Sequence, residues 1–224
     1  MVDAAGASEY IDLGQRLAIP EMRKLGVNRI DMVLLTHPDS DHIGGLPSIA
    51  RRWPIGVVAA PETFREHEAL TLLQSQLPKS IEWKWIKPES SLNFGSTMLS
   101  FDFMPGGEED NVGSLATLIQ MGASRAVLTG DGTVETEAWL APRADWSAEV
   151  LKAGHHGSRT STSSEWLQEV RPLYAVISCG RGNRFGHPHP SVTERLQGIG
   201  SRVLRTDWDG TLIFRPTRSG FQLE

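Results

Sequence analysis

Thr36-His37-Pro38-Asp39-Ser40-Asp41-His42-Ile43-Gly44-Gly45 follows a short apolar run that ends at Leu35. Four side chains able to bind a metal, those of His37, Asp39, Asp41 and His42, fall within six residues. They stand where a strand gives way to a helix, a common position for ligands in α/β folds. The apolar run supplies a rigid base, and Gly44 and Gly45 let the backbone turn closely past the site. A polar turn with an N-capping aspartate would account for Asp39 or Asp41. It leaves the whole His-x-Asp-x-Asp-His pattern without a cause.

Outward from this stretch, apolar and polar segments alternate. Residues 31–35 read as a buried strand and 43–52 as a helix; 56–60 read as a strand and 62–77 as a helix that stops before Pro78. The middle reads as strands at 81–86, 97–104, 114–121 and 125–128, joined by Gly/Pro/Asn turns. Alternation then returns, with strands at 149–152, 173–178, 202–205 and 211–214 and helices at 163–170 and 191–199. Helical segments on both sides of a strand-rich middle fit two packed sheets with helices outside. No repeat or low-complexity linker interrupts the pattern, so residues 1–224 are expected to form a single domain. Met1-Val2-Asp3-Ala4-Ala5-Gly6 reads as the end of a strand running into a loop, with nothing before it to pair with that strand. The expectation is a fragment of a longer protein that lacks the first strands of its domain.

Hydrophobic residues make up 39% of the chain and charged residues 22%, the balance of an ordinary globular protein. The net charge of −5 excludes binding of nucleic acid through a broad basic surface. Such a substrate would need a local basic patch or metal ions. The single cysteine, Cys179, rules out an intrachain disulfide and reads as a core residue at a strand end. No run approaches the roughly 18 apolar residues of a membrane-spanning helix, and no signal peptide is evident. As it stands, the chain is expected to be soluble.

Three further segments hold chemistry. Leu128-Thr129-Gly130-Asp131-Gly132 places an aspartate between glycines after a strand. Leu151-Lys152-Ala153-Gly154-His155-His156-Gly157-Ser158 is a strand followed by adjacent histidines. Phe185-Gly186-His187-Pro188-His189-Pro190 fixes two more histidines in a proline-bounded loop, where they could bind a metal, hold a phosphate or protonate a leaving group. Six of the seven histidines lie in these segments and the first motif. The seventh, His67, reads as a surface residue on a helix.

The first motif resembles the metallo-β-lactamase superfamily signature His-x-His-x-Asp-His, with Asp39 in place of the second histidine. That resemblance implies a four-layer αβ/βα sandwich with two divalent metal ions at one edge of its sheets. His37, Asp39, Asp41 and His42 would be ligands, Asp131 would bridge the ions, and the last ligand would fall on His155 ahead of His156. The usual Gly-His-Thr-like motif is missing; Glu109-Asp110-Asn111-Val112-Gly113-Ser114-Leu115 stands there, and Asp110 or Asn111 would take its role. An oxygen-rich donor set favours Mn²⁺ over Zn²⁺.

The His-His-Gly-Ser and Gly-His-Pro-His-Pro segments, with Asn111-Val112-Gly113-Ser114-Leu115, narrow the resemblance to the C-terminal domain of the ComEC family of competence DNA-uptake channels. This implies DNA as partner, a transmembrane channel domain attached upstream, an extracytoplasmic location at a bacterial inner membrane and no lipid contact by the domain itself. The expected reaction is phosphodiester hydrolysis. Asp41 would orient or deprotonate the nucleophile, and His156, His187 and His189 would serve catalysis. Asn111, Ser114, Ser158, Arg159 and Arg184, with Arg181, would hold the substrate. Two alternatives remain open: a small-molecule hydrolase of the same fold (lactamase, thioesterase or phosphodiesterase), and a non-catalytic DNA- or partner-binding domain with a degenerate site.

Overall fold

A computed structural model describes residues 1–106 and 109–224. The chain divides into two compact units, Met1–Lys87 and Pro88–Glu224.

The first unit carries a three-stranded parallel sheet in the order β1 (Ile30–Leu34), β2 (Ile55–Pro61), β3 (Glu82–Ile86). Parallel neighbours need crossover connections, and helices supply them. A π-helical turn at Gly14–Ala18 leads into α1 (Ile19–Lys24) ahead of β1. The first crossover holds α2 (Ser40–Ile43) and α3 (Leu46–Arg52); the second holds α4 (Glu68–Gln76). Val33, Leu35, Leu46, Ile49 and Val58 are the centre of this unit's core and are wholly buried. The N-terminal residues do find a pairing partner: Val2 bridges Leu34 in parallel, so they run beside β1.

Two expected helices are each broken. Residues 43–52 are not one helix, because Gly44 and Gly45 interrupt it against the N-terminal loop. A β-carbon on Gly45 would lie 2.2 Å from the Ala4 carbonyl oxygen, and one on Gly44 would lie 2.6 Å from the Ala7 nitrogen. Residues 62–77 split into a 3₁₀ turn, Glu62–Phe64, and α4. His67 is therefore a cap rather than a helical surface residue: its Nδ1 accepts the Ala69 amide at 3.2 Å.

The second unit carries a seven-stranded sheet. Its strands are β4 (Ser90–Phe94), β5 (Thr97–Asp102), β6 (Ala116–Met121), β7 (Ser124–Leu128), β8 (Val150–Lys152), β9 (Tyr174–Ile177) and β10 (Arg202–Arg205). They lie in the order β10-β9-β8-β7-β6-β5-β4, antiparallel from β4 to β7 and parallel from β7 to β10. The parallel half is crossed by α5 (Val134–Leu140), α6 (Ser164–Val170) and α7 (Pro190–Gly198). After α8 (Thr206–Asp209), a hairpin of β11 (Phe214–Thr217) and β12 (Gly220–Leu223) closes the unit. The strand expected at 211–214 thus begins only at Phe214, where its partner β12 becomes available. Val127, Leu140, Leu151, Trp166, Ile177 and Leu196 make the core. Cys179 sits just past β9, half-buried against that core, with its thiol donating to Asp207. No helix among the described residues is long and apolar enough to cross a membrane.

A buried carboxylate fastens this unit internally. Glu137 on α5 accepts the backbone amides of Thr162 and Ser163, while Arg195 on α7 donates to the carbonyls of Ser161 and Thr162. Burial holds the Glu137 carboxyl above its ordinary range, against the amide bonds that favour its ionised form. With the folded-state pKa raised, the carboxyl's stabilisation is greatest when protonated and is lost as pH rises through that value. In urea titrations from pH 4 to pH 8, wild type should therefore lose stability relative to Glu137→Gln, which cannot ionise. A difference between the two that stays constant with pH would refute this.

Candidate functional site

Each unit gathers one cluster of potential metal donors. In the first, β1 delivers Leu35, Thr36 and His37 to the sheet's C-terminal edge, and α2 begins at once. Asp39 occupies the N-cap position of α2, yet its side chain makes no capping bond. Its Oδ2 instead lies 3.5 Å from His37 Nε2. His37 and His42 lie with ring centres 4.1 Å apart, both buried. Asp41, on the first turn of α2, has a largely exposed side chain with Oδ2 3.9 Å from His42 Nε2.

Sequence reasoning missed the residue that orients these rings. Asp3 accepts the Thr36 amide at 2.8 Å and the Thr36 hydroxyl at 3.0 Å. Its Oδ2 also lies 2.7 Å from His42 Nδ1. An ionised carboxylate can only accept, so His42 Nδ1 carries the proton. The Thr36 hydroxyl, having given its proton to Asp3, must accept from His37 Nδ1, 2.9 Å away. Both imidazoles are thereby fixed with a lone pair on Nε2, the tautomer a metal ligand needs. Nε2 of His37 is buried and has no hydrogen-bond partner among the described residues. A buried acceptor 3.5 Å from a carboxylate oxygen is a poor arrangement for two bases and a suitable one for two ligands of a cation.

In the second unit, β7 ends at Leu128 and the Gly130 turn presents Asp131, which is buried. Ser114 is fully buried, and its hydroxyl accepts the Asp131 amide at 3.2 Å. Lys152 donates to the Gly130 carbonyl at 3.0 Å and stands 3.9 Å from Asp131 Oδ1. The other oxygen, Oδ2, lies 3.3 Å from His156 Nε2 and 3.9 Å from His155 Nε2. His156 Nδ1 meets the Ser178 carbonyl at 2.8 Å. A carbonyl only accepts, so in the neutral ring Nε2 again keeps the lone pair. Facing a carboxylate, that lone pair calls for a proton or a metal cation.

The adjacent histidines owe their directions to an uncommon backbone. His155 and His156 both adopt left-handed conformations, with φ of 45° and 52°. Each costs about 1–2 kcal/mol in a residue with a β-carbon. The surroundings hold them there. Ser161 Oγ donates to the Gly154 carbonyl, and Gly157 accepts the His189 amide at 2.9 Å. A β-carbon on Gly157 would come within 2.7 Å of Pro188 Cβ, so glycine lets the Gly-His-Pro-His-Pro loop close on the turn.

That loop separates its two histidines. The His187 ring packs edge-on to His155 with centres 5.9 Å apart. Burial, then the neighbouring imidazoles of His155 and His156, hold His187 below the usual histidine range. His189 caps α7 through Nδ1, bonding the Ser191 amide and hydroxyl. Asn111 and Asp110 are half-buried, and Asn111 Oδ1 has no hydrogen-bond partner among the described residues. Ser158 is buried beside Thr160, whereas Arg159 and Arg184 are exposed.

The metallo-β-lactamase superfamily model matches residues 1–181. The chain belongs to that superfamily. Its relatives include competence proteins of ComEC type. It is 33% identical to the ComE operon protein 3 of Bacillus subtilis, over 96% of this chain and 30% of that protein. It is 30% identical to the competence protein ComA of Neisseria gonorrhoeae, over 92% of this chain and 28% of that protein. The chain thus spans under a third of the length of these relatives. The zinc-bound PqqB of Methylobacterium extorquens shares the fold with a TM-score of 0.57 at 15% identity, over 91% of this chain and 80% of that one. The α/β sandwich expected from the first motif is the fold of this family, which holds divalent metals, typically two.

Asp3 generates a specific expectation for such a fold. Asp3→Asn keeps the shape but can present an N–H to His42, so the ring loses its fixed tautomer. Divalent metal affinity measured by calorimetry should fall about 10- to 100-fold with the thermal unfolding of the metal-free protein little changed. Undiminished affinity would show that Asp3 does not set the donor atoms.

Proposed function

We propose that this protein is a metal-dependent phosphodiesterase that cleaves DNA. The observation that carries the metal is His37: a buried Nε2 lone pair, fixed by the Asp3–Thr36 bonds, faces a carboxylate with no proton donor between them. We assign His37, Asp39, Asp41, His42 and Asp131 as ligands, with His156 favoured over His155 by its fixed tautomer and shorter distance to Asp131. Two carboxylates among the four donors of the first unit suit Mn²⁺ better than Zn²⁺. Divalent ions at these residues would acidify water and offset charge on a phosphodiester.

The remaining roles belong to the chain itself. Asp41, exposed and at the helix start, is placed to accept a proton from the attacking water. His187, whose amide donates to Asn183 Oδ1 and whose carbonyl accepts from Asn183 Nδ2, is the group for the leaving oxygen. Lys152 neutralises charge beside Asp131. Arg159, Arg181 and Arg184 offer guanidinium groups to phosphates. The DNA substrate is supported by the relatives, whose names place them in competence. Their greater length supports this chain being the extracytoplasmic domain of a larger membrane channel.

End-labelled single- and double-stranded DNA incubated with the protein and Mn²⁺ tests the reading. Cleavage should occur and should fall at least about a hundredfold in Asp131→Ala. A folded, metal-loaded protein that leaves DNA intact while hydrolysing a lactam or thioester would overturn it in favour of a small-molecule hydrolase.

A further inference from the structure

Two large aromatic side chains of the second unit stand in solvent: Phe185 is 68% exposed and Trp208 is 70% exposed. Each is built into a stack with cationic or imidazole groups. The Phe185 ring lies nearly parallel to His187, at 17° and 5.9 Å, with the Arg184 guanidinium 4.9 Å from its centre. The Trp208 ring is covered on one side by the Arg205 guanidinium at 3.7 Å. Arg205 is held flat there by two bonds to Asp207. The loop that carries Phe185 is fastened to the residue before Trp208, since Arg181 donates to the Asp207 carbonyl at 2.7 Å. From Cys179 to Thr193 the sequence holds two arginines and two histidines and no carboxylate, in a chain of net charge −5. The series then reaches the donor turn, because His187 meets His155.

We propose that Phe185 and Trp208 form a stacking platform for the bases of single-stranded nucleic acid, with Arg181 and Arg184 on the flanking phosphates. This rests on the phosphodiesterase reading for its place beside the reacting groups, and it names the strand form of the substrate. Exposed rings interleaved with guanidinium groups suit a polyanion whose bases are unpaired, because stacking needs a free base face. The loop Gly180-Arg181-Gly182-Asn183-Arg184-Phe185-Gly186 presents cationic and aromatic groups together with no carboxylate, which suits a polyanion with free base faces. Arg205 is ion-paired with Asp207, which offsets its charge, and acts as the second layer under Trp208.

The test is affinity for fluorescent phosphorothioate strands of about 12 nucleotides, which resist cleavage, on the metal-loaded full chain. One strand carries bases, a second of equal length is abasic, and a third is the duplex. Wild type should bind the base-bearing single strand best. Phe185→Ala and Trp208→Ala should each weaken that binding about 5- to 100-fold, and Trp208→Phe should restore most of it. Affinity for the abasic strand should barely change. Equal wild-type affinity for abasic and base-bearing strands overturns the proposal. So does unaltered binding by the alanine variants. Loss of wild-type self-association in those variants, without any strand binding, also overturns it and marks a protein contact. Stacking-dependent binding without cleavage of an ordinary strand supports the platform and sinks only the phosphodiesterase reading.

Discussion

The carboxylate of Asp3 sets the chemistry of the first unit. It accepts from Thr36 and His42 at once, so one anion determines the proton positions of two imidazoles. The consequence propagates outward: with Nδ1 protonated in both rings, both Nε2 atoms are bases, and the carboxylates of Asp39 and Asp41 lie within 4 Å of them. Such a cluster of acceptors opposes its own assembly unless a cation joins it. The fold accommodates that opposition by anchoring Asp3 in a segment that runs alongside β1, bonded to Leu34, and by packing Gly44 and Gly45 directly under the loop that follows. The site and the sheet edge are therefore one construction.

The second unit meets a related problem through backbone strain. Two consecutive left-handed histidines are costly, and nothing in their own sequence favours that geometry. What stabilises it is the loop behind them. Glu137 and Arg195 clamp residues 161–163, Ser161 returns a hydrogen bond to Gly154, and Gly157 admits Pro188. A buried carboxylate is an expensive way to hold a loop, but it fixes direction as well as proximity. The direction matters because His156 must reach both Ser178 and Asp131.

How legible was this in the sequence? The first motif was readable because its density of donor residues has no ordinary structural cause, and β1, β2 and β5 to β10 were readable from apolar runs. β4 was missed because Ser90-Ser91-Leu92-Asn93-Phe94 is an edge strand with mostly polar, open faces. α5 was missed although Thr133 and Thr136 form a capping box at its start, a local signal that went unused. The interrupted helix at Gly44 was out of reach, since the interruption depends on Ala4 and Ala7 far away in sequence. Asp3 was invisible for the same reason: its partners are 33 and 39 residues on. Local patterns identify donors; the groups that fix their protonation are long-range and need coordinates.

On the proposed function, a chain of net charge −5 has to concentrate its attraction for a polyanion. Divalent ions would supply the strongest part of it at the reacting phosphate, where the carboxylates that give the chain its negative sign become ligands. That leaves the flanking contacts, and there the sequence from Cys179 to Thr193 is free of carboxylates while Arg184 packs against the Phe185 ring. Stacking is less sensitive to net charge than ion pairing, because it draws on base surface. An acidic protein can therefore retain a strand through aromatic faces and a few guanidinium groups. It needs no broad basic surface, and neighbouring duplex, whose bases are already paired and stacked, would compete poorly for the same rings.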